Sequence, residues 1–312
     1  MKKVLITGAH GLLGQKISLI LARESDAEIL MTDIQRTTPF DVPRFDYHQL
    51  DVTRLGDVKS LVASYRPDVI INTAAKTDVD DCEIQRQEAW CVNVDSVKHL
   101  VIAARKLERC RIIHISTDYV FSGEEGMYSE DSRPNPVNYY GKSKLAAENV
   151  LRAGGVDHLI VRTQLLYGTG VNIRKNFVLW TLAMLKQGKP FGVVDDQVGN
   201  PTLVDDLAFA ILKLAETSTE GLYHVAGSEA VSRYDWARAI AMVFGLDPDV
   251  IYPIRTAELH QSARRPMNST FVTLKFESEF GFGLSNIQQG LERFRSQLQQ
   301  GARLFQMLNR SN

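Results

Sequence analysis

"KKVLITGAHGLLGQKISLILARE" (residues 2–24) brings three signals together in one short stretch. An apolar run, Val4–Ile6, meets Thr7-Gly8; Gly8, Gly11 and Gly14 follow at G-x-x-G-x-x-G spacing; a helical apolar period then starts at Leu12. Strand, glycine turn and helix in that order predict a phosphate-binding loop. Glycine lets the backbone approach a pyrophosphate, and the helix N-terminus behind it offers N–H donors and the positive end of its dipole. The next apolar run, "EILMTD", ends at Asp33. That is about 20 residues past the loop, where an acidic side chain accepts from an adenosine ribose hydroxyl. The cofactor expected is NAD(H) or NADP(H). Asp33 repels a ribose phosphate and so favours NAD(H), but Arg36 can offset that repulsion, and both stay open.

Outward from this unit the pattern repeats. "RFDYHQLDVT", "PDVIINTAA", "CRIIHISTD" and "DHLIVRT" read as further strands, separated by helices ending near Tyr65, spanning about Ile84–Lys106, and covering "NPVNYYGKSKLAAENVL". Repeated βα units predict an α/β fold with a doubly wound parallel (Rossmann) sheet and right-handed crossovers. Past about Leu165 the regularity breaks: a helix at Phe177–Lys186, "FGVVDD", a helix at Asp205–Glu216, "GLYHVAG", then an irregular, arginine-rich stretch from Ser228. The expected division is residues 1–165 as the dinucleotide-binding domain, with 191–227 also contributing to it, and 166–312 mainly as a smaller, partly interleaved substrate-binding lobe.

The 312 residues carry 44% apolar and 23% charged side chains, an ordinary globular composition that excludes disorder. A net charge of −1 without a basic block argues against nucleic acid and anionic membrane surfaces. Lys2-Lys3 and the apolar run imitate a signal peptide, but Thr7-Gly8 interrupts the run and no cleavage site follows. No segment has the length of a membrane span. Cys82, Cys91 and Cys110 are odd in number and lack C-x-x-C spacing, so they read as small apolar side chains in a reducing, cytoplasmic compartment. No metal site is expected.

Ligands of such sheets bind at the carboxyl edge. That edge collects Leu12 and Leu13 with the loop glycines, Asp51 and Val52 after the third strand, Asn72, Ala74 and Ala75 after the fourth, and Thr117 after the fifth. The helix that follows holds "NYYGKSK" (138–144), in which Tyr139/Lys142 and Tyr140/Lys144 are both candidate pairs. On a wheel of ~100° per residue, Tyr139, Ser143, Ala146, Ala147 and Val150 form one small or apolar arc. Tyr140, Lys144 and Leu151 line its border; Lys142 falls with Gly141, Glu148 and Asn149 on the wet side. The pattern therefore selects Tyr140 with Lys144 at the border between core and cleft, and reads Tyr139 as packing. An ammonium ~4 Å from a phenol, at an effective dielectric near 20, supplies about the 4 kcal/mol needed to bring a tyrosine from ~10 toward neutrality.

The glycine loop, "NTAA", the Ser/Thr after the fifth strand and Tyr140-x-x-x-Lys144 together resemble the extended short-chain dehydrogenase/reductase superfamily. The resemblance implies Tyr140 as acid/base, Lys144 as the group that lowers its pKa and holds the nicotinamide ribose, and Thr117 as hydrogen-bond partner of the substrate oxygen. "STDYVFSG" (116–123), "NPVNYYGKSKLAAE" (135–148), "VVDDQVGNPTLVDDLA" (193–208) and "RRPMNS" (264–269) narrow it to the dTDP-4-dehydrorhamnose reductases. That implies NAD(P)H-dependent reduction of a 4-keto group on a nucleotide-linked deoxysugar, in dTDP-L-rhamnose biosynthesis. Tyr119, Asn176, Arg265 and Asn268 would hold the sugar nucleotide, although Arg265 reads equally as half of a surface salt bridge. Arg174 and Lys175 could meet the diphosphate or simply be solvated.

Two positions depart from that family, Leu165 where a tryptophan is usual and Leu13 where a glutamine is common, which leaves the exact sugar open. The glutamate that sugar-nucleotide dehydratases carry is absent, since Asp118 is followed by Tyr119; the epimerase pattern "SSxxVYG" is absent too. The alternative from another class is a non-catalytic NAD(P)-binding regulatory subunit resembling the methionine adenosyltransferase β subunit. The implied partner is a small-molecule sugar nucleotide, with a homodimer left open.

Overall fold

The structure, a computed structural model, describes residues 1–40 and 45–310. Seven strands form one all-parallel sheet: β1 (Lys3–Thr7), β2 (Glu28–Asp33), β3 (Phe45–Gln49), β4 (Val69–Asn72), β5 (Arg111–Thr117), β6 (His158–Thr163) and β11 (Gly221–His224). Their spatial order is β3-β2-β1-β4-β5-β6-β11. The order reverses between β1 and β4, which opens a crevice at the carboxyl edge. Central strands such as Val69–Asn72 are buried on both faces and read as continuous apolar runs, whereas edge strand β3 exposes part of its length. Arg44, at the start of the segment that includes β3, lies outside the described residues.

Helices cover both faces. On one, α1 (Leu12–Glu24) packs with α8 (Val204–Glu216), Ile17, Leu21, Leu207 and Ile211 meeting Ile6 and Met31 of the sheet. On the other, α2 (Leu55–Tyr65), α5 (Ser96–Ala104) and α6 (Tyr139–Arg152) bury Leu61, Leu100, Ala147 and Leu151 over Leu5, Ile70 and Ile112.

The helical region expected at Ile84–Lys106 is instead interrupted. It consists of α3 (Val79–Ile84), α4 (Arg86–Trp90), a π-turn at Cys91–Asp95, and α5. The π-turn buries Asn93, whose amide nitrogen donates to Ser143 Oγ on α6 (2.9 Å) and whose oxygen accepts the Lys76 N–H (2.8 Å). This polar junction locks the start of the loop after β4 against the helix that carries both tyrosines.

The remaining chain builds a second core around Tyr167, Trp236, Leu291 and Phe294. Short pairs link β7 (Leu166–Tyr167) with β10 (Thr202–Leu203), β8 (Phe191–Val194) with β13 (Ile251–Ile254), and β9 (Val198–Gly199) with β12 (Val231–Ser232). Within 191–227, α8 and β11 join the main sheet domain, while β8 pairs in the lobe. The stretch after Ser228 is more regular than expected. It holds α9 (Arg233–Phe244), α10 (Leu274–Phe280) and α11 (Ile287–Arg310), with α7 (Phe177–Leu185) nearby. Polar residues conceal α11, whose apolar contacts Ile287, Leu291 and Phe294 recur at helical spacing between glutamines and arginines.

Candidate functional site

The loop between β1 and α1 begins the site. A Cβ on Gly14 would overlap the Gly8 carbonyl oxygen, so glycine is required for the helix to start so close to its own loop. Helix α1 has no side-chain N-cap and no acidic residue in its first turn. Its first N–H groups therefore retain donor capacity and dipole for an anion. His10, which sequence reading passed over, fastens this loop. Its N–H donates to Asp33 Oδ2 at 3.0 Å, and its ring Nε2 lies 2.6 Å from the Thr37 carbonyl oxygen. A cavity of about 720 Å³ opens beside it, lined by Gly8, Gly11, Asp33, Asp51, Val52, Ala74 and Ala75. Asp51 Oδ1 accepts from Thr53 Oγ1 at 2.6 Å. The volume, the bare helix start and the carboxylate at the end of β2 fit an adenine dinucleotide.

Gly11, Thr73 and Ala75 also line a second cavity, of about 410 Å³, so the two meet over the glycine loop. Leu12, Leu13, Gly14, Thr117, Tyr119, Tyr140 and Lys144 line this second space. Asn138 starts α6, its side chain accepting the Gly141 N–H at 2.8 Å. Gly141 is needed here, because a Cβ would collide with the Tyr119 carbonyl oxygen. That close approach brings the Tyr119 and Tyr140 rings edge to face, with centroids 5.6 Å apart.

Tyr140, and not Tyr139, lines the cavity, but by a different face from the one expected. Tyr140, Lys144, Ala147, Glu148 and Leu151 form the centre of the buried arc of α6, not its border. Tyr139 is half-buried on the outer side, against Trp90 and beneath the Arg86 guanidinium. Glu148, expected in solvent, is fully enclosed. It accepts from Arg162 Nε (2.8 Å) and Nη2 (2.7 Å), from Ser116 Oγ (2.6 Å) and from the Arg152 guanidinium (2.9 Å). Lys142 is exposed, as expected.

The electrostatics also depart from expectation. Burial pushes the Tyr140 phenol above its ordinary value, and a hydrogen bond with Thr117 only partly offsets this. Lys144 has partners of its own. Its Nζ donates to the Ile115 carbonyl at 2.6 Å and lies 3.2 Å from His114 Nε2. Burial brings the Lys144 ammonium down to about 8, with Glu148 acting in the opposite direction. His114 is fully buried, and burial together with the Lys144 charge holds its imidazole neutral.

Asn72 belongs to this buried chain rather than to a cavity wall. Its amide nitrogen is 3.0 Å from His114 Nδ1, and its oxygen accepts from Thr7 Oγ1 at 2.6 Å. Sequence reading also missed Asp118 as a site group. It is buried beside Thr117, accepts from Thr117 Oγ1 (3.0 Å) and Ser269 Oγ (2.6 Å), and is raised by burial to about 6.

Three of the residues expected to hold substrate have other partners. Asn176 caps α7, accepting the Leu179 N–H (3.1 Å) and donating to Gly168 (2.9 Å). Arg265 makes a two-pronged pair with Asp80 (3.2 and 2.6 Å), the salt-bridge reading of that residue, though sheltered rather than fully exposed. Asn268 accepts from Thr270 Oγ1 (2.9 Å), and its N–H donates to Gly123 (2.9 Å), which ties the loop after β5 to the lobe. Arg174 is exposed, 3.7 Å from Asp78.

Among the described residues no cluster suits a metal ion, and no helix is long and apolar enough to cross a membrane. All three cysteines are free.

Comparison with known proteins places these features in context. The RmlD substrate binding domain family matches residues 1–300. A dTDP-4-dehydrorhamnose reductase of Aggregatibacter actinomycetemcomitans is 35% identical over 308 residues, 95% of this chain and 99% of that protein. The crystal structure of a dTDP-4-dehydrorhamnose reductase from Clostridium acetobutylicum superposes with a TM-score of 0.86 at 35% identity, over 95% of this chain and 99% of that one. One from Bacillus anthracis, in complex with NADP, gives 0.85 at 33%, over 95% and 100%.

Proposed function

The chain belongs to the RmlD substrate binding domain family, and on that premise we propose that it is an NAD(P)H-dependent oxidoreductase reducing the 4-keto group of a nucleotide-linked deoxysugar, as in dTDP-L-rhamnose biosynthesis. The observation that supports this most is the convergence of Tyr140, Thr117 and Lys144 on one cavity continuous with the dinucleotide cleft. Relatives of this similarity are named reductases, which favours catalysis over the role of a regulatory subunit.

Gly11, Leu12, Leu13 and Gly14 would cradle the pyrophosphate, and Asp33 the adenosine ribose. When bound there, NAD(P)H supplies the hydride. Tyr140 gives its phenolic proton to the oxygen of the carbonyl as it becomes an alkoxide. A raised pKa suits this direction: the phenol is fully protonated at neutral pH and the acceptor is a far stronger base. Thr117 hydrogen-bonds the same oxygen and orients it toward Tyr140. Lys144, held by Ile115 and His114, would hold the nicotinamide ribose. Tyr119 packs its ring against the sugar.

In this reading residues 1–165, with α8 and β11, carry the cofactor half, and the rest of 166–312 covers the substrate. A cytoplasmic location and a homodimer belong to the same proposal, and sedimentation equilibrium tests the latter. The central test is NAD(P)H oxidation by the purified protein across 4-keto sugar nucleotides, beginning with dTDP-4-dehydrorhamnose. Turnover of that compound supports the proposal, and failure with every 4-keto sugar nucleotide refutes it.

A further inference from the structure

Among the described residues, the other sheltered arginines near the sheet each have an anion: Arg111 has Asp157, Arg162 has Glu148, and Arg265 has Asp80. Arg233 does not. It opens α9, and its backbone N–H donates to the Gln197 carbonyl at 3.0 Å. Among the described residues its guanidinium makes ring contacts only, 5.1 Å from the Phe177 centroid and 5.8 Å from that of Trp236. Ring contacts of this kind use the faces of the group and not its N–H donors. Asp118 is close enough to interact through space, but its oxygens already accept from Thr117 and Ser269. Burial disfavours the Arg233 charge, so an anion brought to it would be bound strongly.

Arg233 lines a crevice that shares Asp118, Tyr119 and Leu165 with the 410 Å³ cavity. The crevice itself holds about 10 Å³. That is room for roughly one water-sized group, and hence for a single oxygen of a ligand whose body lies in the larger space. Arg265, across Tyr119, is already neutralised by Asp80 and has no net charge to offer.

We infer that Arg233 is the anion-recognising residue of the substrate lobe, its N–H donors taking a phosphoryl oxygen of the substrate's diphosphate. The inference rests on the sugar-nucleotide reading above. A carboxylate on the sugar offers the same oxyanion chemistry, so the test separates the two sources.

Titration calorimetry on the NADH-loaded protein compares dTDP, a dTDP-linked hexose without a keto group, inorganic pyrophosphate and deoxythymidine, in wild type, Arg233→Gln and Arg233→Lys. Expected is a loss of about 10- to 100-fold in dTDP affinity for Arg233→Gln, the range of a charge-assisted hydrogen bond. Pyrophosphate should weaken in parallel, deoxythymidine should be unchanged, and Arg233→Lys should fall between. Unchanged NADH affinity in both variants shows that they are folded. A dTDP affinity within twofold of wild type overturns the inference. So does a loss confined to the complete sugar nucleotide, which would assign a group on the sugar instead. If Arg233 served only to support the Asp118 charge, the variants would shift the pH dependence of turnover and leave dTDP binding intact, which also overturns it. Should the wild type reduce no keto-sugar, the function proposal fails while the dTDP comparison still reads Arg233.

Discussion

Glu148→Gln is the most informative single substitution in this molecule. It removes one charge from the enclosed pair that joins α6 to β5 and β6. The side chains of Glu148 and Arg162 are 0% and 1% exposed, so neither ion has water to fall back on. Glutamine keeps the shape and one acceptor oxygen but turns an NH₂ toward an Arg162 nitrogen, losing one of the two short bonds and leaving the guanidinium charge uncompensated. Breaking a buried pair from one side costs about 3–5 kcal/mol. The Arg152 bond adds little, because that side chain is 40% exposed. The lower end, about 3 kcal/mol, corresponds to a fall in Tm of roughly 4–5 °C, at about 1.5 °C per kcal/mol for a chain of 312 residues.

Burial alone would raise the Glu148 carboxyl, but Arg162, Ser116 and Arg152 outweigh it and hold the group below its ordinary value. Its stabilising contribution is therefore complete above the unfolded pKa, ~4.3, and is lost only as pH falls through the lower folded value. Melts by circular dichroism at pH 7 thus read the full effect. Because an apolar replacement of both partners is often tolerated, Glu148→Met with Arg162→Met should melt higher than Glu148→Gln alone. A single variant within 2 °C of wild type, or a double variant no better than the single, would refute the claim that uncompensated charge is the cause.

Four further outcomes follow. Tyr140→Phe should abolish turnover while NAD(P)H still binds by fluorescence titration, whereas Tyr139→Phe, on the outer side of α6, should keep most of the rate; equal losses would count against the assignment. If the Lys144 ammonium is needed, turnover should decline as pH rises through about 8, and Lys144→Arg, which stays charged, should lose that limb whatever its absolute rate. A profile flat beyond that pH would mean that the charge has no part in the chemistry. The same depressed pKa makes stability rise with pH between about 8 and the unfolded lysine value near 10.4, since there the unfolded chain binds the extra proton. Finally, with Asp33 at the end of β2, NADH should bind at least as well as NADPH; a strong NADPH preference in a titration would shift discrimination to Arg36.

The sheet was legible because its signal is redundant. Each βα unit repeats the same apolar run and turn chemistry, and the glycine loop fixes where the first one bends. Residues such as Gly14, Asp33 and Thr117 were readable because chain position alone puts them at the carboxyl edge. Asn176, Arg265 and Asn268 lie in the lobe, where pairing is non-local. Nothing in the order of residues says that Asp80, far away in sequence, turns back to meet Arg265. Arg233 was hidden for the opposite reason: its identity as a site residue rests on a partner it does not have.

Helix α6 shows where a hydrophobicity argument breaks down in physical terms. A wheel assigns charged residues to water, and so it placed Glu148 outside and moved Lys144 to a border. In the folded chain both charges are inside, because each finds its partner on the strand beneath: Glu148 on Ser116 and Arg162, Lys144 on Ile115 and His114. Restoring them to the interior rotates the buried face until its centre falls on Tyr140 and Lys144. The sequence does contain a cue to this. Lys144 and Glu148 stand four apart, the spacing that puts both on one face, and Arg162 is a lone cation in the apolar strand "HLIVRT". A charge inside a buried strand demands an opposite charge from whatever packs on it. The helix that supplies that charge must turn it inward, and with it the face that carries Tyr140 and Lys144.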